Sequence, residues 1–124
     1  MLEAIVMLIR GVGLALIVLG GIASLISAIG FHRFKNFYLR LHALTVGTIW
    51  GCVYPLVGAA LFTITFEELG AYRWFVAGAS FVTALIVLML APAGSHAIAR
   101  GVHKSKTARV QPCLADLLDK DLCG

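Results

Sequence analysis

Hydrophobic positions in this chain fall into three long runs separated by short charged segments. Gly11 to Phe31 is 21 residues without Asp, Glu, Lys or Arg, Leu41 to Phe66 is 26, and Trp74 to Ala99 is another 26. A helix needs roughly 20 apolar residues, each rising about 1.5 Å, to cross a hydrocarbon core. Each run therefore predicts a membrane-spanning helix, over about residues 5–29, 41–65 and 74–91. Pro92-Ala93-Gly94 is expected to interrupt the third. The expected fold is an all-α membrane protein with three transmembrane helices, joined by short interfacial segments. Residues 1–109 make the membrane domain, and 110–124 a cytoplasmic tail. In that tail Leu114, Leu117, Leu118 and Leu122 form an apolar stripe after Pro112, as in a short amphipathic docking helix. A cleaved leader is the competing reading of the first run. Its start, Met1-Leu2-Glu3, has no basic residue, the run exceeds an apolar core of about 7–15 residues, and no clear cleavage site precedes Phe31, so a span is expected.

Composition and charge add an orientation. Hydrophobic residues make up 60% of the chain and charged ones 13%, against about 25% charged in soluble domains; the mean hydropathy is +0.96. Arg33, Lys35 and Arg40 occupy the first connection, and Arg100, Lys104, Lys106, Arg109 and Lys120 follow the third span. The opposite side holds Arg10 and Arg73 with Glu3, Glu67 and Glu68. Lys and Arg concentrate in short cytoplasmic loops, which predicts an outside N-terminus and a cytoplasmic C-terminus in the inner membrane of a prokaryote. The basic balance is thus directed at the anionic headgroups of the lipid bilayer and not at nucleic acid. Cys52, Cys113 and Cys123 lack metal-ligand spacing and are read as thiols.

Small and polar residues are patterned within the spans. Gly13, Gly20, Ser24 and Ser27 give the first span a small face, and such faces let helices approach closely in lipid. Arg10, at its outer end, snorkels to headgroups or meets a partner in another chain. In the second span Tyr38, His42, Thr45, Thr48 and Cys52 make a polar stripe, and Gly47, Gly51, Pro55 and Gly58 make a packing stripe about a third of a turn away. Pro55 is expected to disturb the helix near its middle. The polar stripe reads either as hydrogen bonds to backbone and neighbouring helices or as a wetted half-path for ions. His96 and Arg100, with His103 and Lys104, form a basic interfacial face. No catalytic, cofactor or metal constellation is present. None of the three spans contains Asp, Glu or Lys, although cation and proton carriers need such a group inside the membrane.

The connection into the second span is more specific. Arg33-Phe34, two residues, Phe37-Tyr38, one residue, then Arg40-Leu41-His42-Ala43 resembles the signature of the MnhG/MrpG/PhaG family. These are the small G subunits of multi-subunit Na⁺(K⁺)/H⁺ antiporters. Pro92, Ser95-His96-Ala97 and Arg100 are similar to that family's ending of the third span. The chain departs at Lys35-Asn36, where the family usually has Pro-Asp, and at Val46, where it often has Lys. The resemblance implies a non-catalytic accessory subunit without cofactors, partnered by other subunits of a hetero-oligomeric antiporter. Its work would be assembly, with a cation route along it as a further role. Related G-like subunits also occur in membrane-bound hydrogenases and other redox-driven complexes, which leaves that host open. A holin-like pore former is the rival from another class, and it would have no use for so specific a motif.

Overall fold

A computed structural model describes residues 1–108; the leucine-striped tail, Arg109 and Lys120 lie outside them. The described chain is helical, without strands, and contains three helices long and apolar enough to cross a membrane. The first, α1, is Leu2–Arg33. The second span is composite: α2 (Phe37–Thr48), a π-helical segment (Ile49–Val53) and α3 (Tyr54–Ile64). A 3₁₀ turn, Glu67–Leu69, leads through Gly70 into α4, Tyr72–Lys104. Gly70 sits at φ +54°, a left-handed conformation that costs glycine little.

The three spans lie as a row. α1 and α4 each pack along the composite second span and make no comparable contact with one another. Fully buried positions are few and mostly small: Gly13 and Gly20 in α1, Gly58 and Ala60 in α3, Ala77 and Ala84 in α4. Large apolar residues such as Leu25, Phe75 and Met89 point outward. Lipid tails are as apolar as leucine, so the row is held by close backbone approach and hydrogen bonds, with its outer faces left to lipid or other chains.

Two helix breakers are accommodated differently. Pro55 has no N–H to donate one turn back, and it is the second residue after the π segment. A π segment inserts a residue into the helix and shifts the pairing of carbonyls around it. The Ser24 hydroxyl of α1 donates to the Gly51 carbonyl, inside that segment, at 3.2 Å. Pro92, expected to interrupt the third span, lies inside a helix that continues to Lys104. That expectation is corrected: one lost hydrogen bond costs less than a break, which would leave several backbone groups unpaired in lipid.

Candidate functional site

The first connection is built by its own motif. Phe34 ends α1, its N–H bonded to the Gly30 carbonyl at 3.0 Å, and its ring lies against Gly30. Asn36 caps α2 in an extended conformation, and its carbonyl accepts from the Arg40 N–H at 3.1 Å. Arg40 turns back over the connection: Nε donates to the Phe34 carbonyl at 2.5 Å, and the guanidinium stands 6.0 Å from the Phe31 ring centre. Phe37 and Tyr38 meet edge to face at 5.7 Å. Arg33 is the last residue of α1 and is exposed. Most of the motif therefore sets the angle between the first two spans.

The packing stripe of the second span meets the small face of α1. Gly58 lies against Gly13, Pro55 against Gly20, and Gly51 against Ser24. Gly47 lies against Ser27, whose hydroxyl donates to the Ala43 carbonyl at 2.6 Å. A Cβ at Gly58 would sit 2.5 Å from the Gly13 carbonyl oxygen, so only glycine fits without moving a backbone. The outer end of this contact is closed by Arg10. Its Nη2 donates to the Thr65 carbonyl at 2.8 Å and its Nε to the Thr65 hydroxyl at 3.2 Å, with the Phe66 ring 5.5 Å away. Thr65 follows the last residue of α3, so Arg10 supplies donors to a helix C-terminus within its own chain.

The polar stripe divides between two faces. Tyr38, His42 and Thr45 line a cleft of about 280 Å³, and Pro92, Ser95 and His96 of α4 form its other wall. Thr48 and Cys52 turn instead toward a groove beside α1. At about 100° per residue the steps of four and three do not stay on one line, and Thr48 is already well round from Tyr38. Both threonine hydroxyls are taken by their own helix: Thr45 donates to the Leu41 carbonyl and Thr48 to the Leu44 carbonyl, each at 2.9 Å. The Tyr38 hydroxyl is buried without a hydrogen-bond partner, and His42 is exposed at the cleft. His96 joins His42 in the cleft, and Arg100 lies one turn further along α4, exposed. Among the described residues no group of three His, Cys, Asp or Glu could hold a metal ion.

Sequence reasoning did not find the Arg10–Thr65 clamp, the Ser24 and Ser27 bonds to backbone, or Ser95 as a wall of the cleft. Ser24 and Ser27 stood out as small residues, and their hydroxyls were the available signal.

Comparison with known proteins places the chain among antiporter subunits. A family model for PhaG, MnhG and YufB, described as Na⁺/H⁺ antiporter subunit, matches residues 16–103. The chain is 31% identical over 104 residues to a UPF0091 protein of Pyrococcus horikoshii, covering 79% of this chain and 86% of that one. It is 28% identical over 109 residues to Na⁺/H⁺ antiporter subunit G1 of Staphylococcus aureus, covering 88% and 87%. A Staphylococcus saprophyticus chain bearing the antiporter-subunit name mnhG2 is 32% identical over 91 residues, 73% of this chain and 57% of that one. No solved structure matches the chain.

Proposed function

This chain belongs to the PhaG/MnhG/YufB family of Na⁺/H⁺ antiporter subunits, and we propose that it is the accessory subunit that shapes such a complex without an ion-exchanging site of its own. It is a multi-pass protein of a prokaryotic cell membrane. The observation that carries the proposal is the fate of its polar groups. Ser24, Ser27, Thr45 and Thr48 all give their hydroxyls to backbone carbonyls, and no Asp, Glu or Lys lies in the apolar runs. A carrier must bind and release its ion at a charged group inside the membrane, and here neighbouring subunits would supply it. The first connection and the segment after α4 would then face the cytoplasm, by the distribution of Lys and Arg.

One observation favours a second role. The cleft between α2 and α4 brings His42, His96 and the unpartnered Tyr38 hydroxyl together at one end of the row. Beside an antiporter subunit, that wall would border the cation route at its cytoplasmic mouth.

The assembly reading is tested by tagging this chain in its own host and identifying what co-purifies. Recovery of the other small subunits of a cation/proton antiporter is the expected result. Recovery of hydrogenase subunits would move the chain to a redox-driven complex, and recovery of this chain alone would overturn the accessory role.

A further inference from the structure

The groove beside α1 opens along the edge of the packing seam, with Ser24, Ser27, Gly47 and Gly51 at its base, and is separate from the α2–α4 cleft. It measures about 510 Å³ and is lined by Ala28, Phe31 and His32 of α1 and by Leu44, Thr48 and Cys52 of the second span. From Leu44 to Cys52 is eight residues, so its floor runs about 12 Å into the membrane at 1.5 Å per residue. Its lining is mostly apolar, and the Thr48 hydroxyl is turned to its own backbone. At the mouth the character reverses. His32 is exposed there, Arg33 and Lys35 follow it into the connection, and the Arg40 guanidinium stands over the Phe31 ring. The carboxylates among the described residues are Glu3, Glu67 and Glu68, all toward the opposite end of the row.

We propose that this groove is a binding site for one anionic glycerophospholipid, an acyl chain lying between α1 and the second span and the phosphate held by His32, Arg33 and Lys35. An apolar slot opening under a cluster of cations, with every carboxylate of the described chain at the far end, matches a phosphate ester with a hydrocarbon chain beneath it. A general surface attraction gives each Lys or Arg the same weight wherever it faces the leaflet. A site weights only the cations at the groove, and it also requires the groove to be empty of side chains. Phe31 serves both halves, as an apolar wall below and as the ring that holds Arg40 above the mouth.

The test uses the complex isolated by a tag on this chain, whatever its other subunits, so its outcome does not depend on the antiporter reading. The complex is placed in phosphatidylcholine vesicles with a small fraction of acyl-chain photo-crosslinking phosphatidylglycerol, or of matched phosphatidylcholine. Crosslinks are mapped to peptides of this chain. Phosphatidylglycerol should label residues 24–31 and 44–52 well above the phosphatidylcholine probe. Arg33→Gln and Lys35→Gln should each lower that labelling about fivefold, while Lys104→Gln, a cation of the same leaflet on α4, leaves it unchanged. Ala28→Trp changes no charge and alters an exposed position, and by filling the groove it should abolish the labelling with the complex intact. Equal labelling by both probes, or an equal loss with Lys104→Gln, would overturn the site. Loss of the complex with Ala28→Trp would make the groove a subunit contact, and displacement of the probe by millimolar inorganic phosphate would make the ligand a free anion; either result also overturns the proposal.

Discussion

Gly58→Ala adds a single methyl group where the two spans come closest. That carbon would meet the Gly13 carbonyl oxygen at 2.5 Å, the Leu16 Cβ at 2.9 Å and the Ile17 Cγ1 at 3.1 Å. Ordinary carbon contacts lie at about 3.5–4.0 Å, so the helices must part by roughly 1 Å. A gap of that size forfeits up to about half of each contact along the seam. Overpacking of this kind costs about 1–3 kcal/mol. The helical preference for alanine over glycine works in the opposite direction by up to about 1 kcal/mol. Gly78→Ala carries the same preference and meets nothing within 4 Å, so the difference between the two variants isolates the clash. Unfolding of the purified chain from mild detergent into dodecyl sulfate should show Gly58→Ala about 1–3 kcal/mol less stable than Gly78→Ala. Equal midpoints would refute the close approach of α1 and α3.

Other expectations follow from the same contacts. Ser24→Ala should cost about 0.6 kcal/mol, a typical interhelical hydrogen bond in a membrane; unchanged stability would show that this bond does not help to hold the two spans together. Arg10→Lys keeps the charge but loses the two-point contact with Thr65, and should destabilise the chain by about 1–3 kcal/mol in the same titration; wild-type stability would make Arg10 a plain headgroup anchor. For topology, cysteine placed at Glu68 should react with an impermeant maleimide added to intact cells, and cysteine at Ser105 should not; labelling at Ser105 would reverse the orientation.

The three spans were legible because each apolar run matches the length of a bilayer-crossing helix, and α1, the composite second span and α4 occupy those runs. The small residues were legible as faces. Periodicity does not encode which face meets which, and the mating of Gly13, Gly20, Ser24 and Ser27 with Gly58, Pro55, Gly51 and Gly47 depends on how the two helices pack. The π segment left no mark in the sequence except Pro55 after it, since a fixed turn of about 100° per residue assumes an unbroken α-helix. The polar stripe read as continuous because steps of three and four residues drift only gradually round a helix, and Thr48 and Cys52 belong to another groove than Tyr38 and His42. Pro92 does not interrupt α4: a proline breaks helices in water more readily than in lipid, where a broken backbone finds no solvent to pair with. His96 was legible as an interfacial base, but its place opposite His42 depends on the stagger of α4 against α2, which residue spacing does not encode.

On the proposed function this subunit shapes the antiporter and does not itself handle the proton. Histidine is the side chain whose ordinary titration lies near neutrality, and His42 is the one at the mouth of the second span. His42→Gln keeps hydrogen-bonding capacity and removes the imidazole. The decisive measurement is the pH profile of cation/proton antiport in everted vesicles carrying the His42→Gln complex, with assembly checked on the same preparation. The profile should be unshifted, lowered in amplitude only as far as complex is lost. A displaced profile from a fully assembled complex would contradict it and place the cleft of His42 and His96 in the ion path.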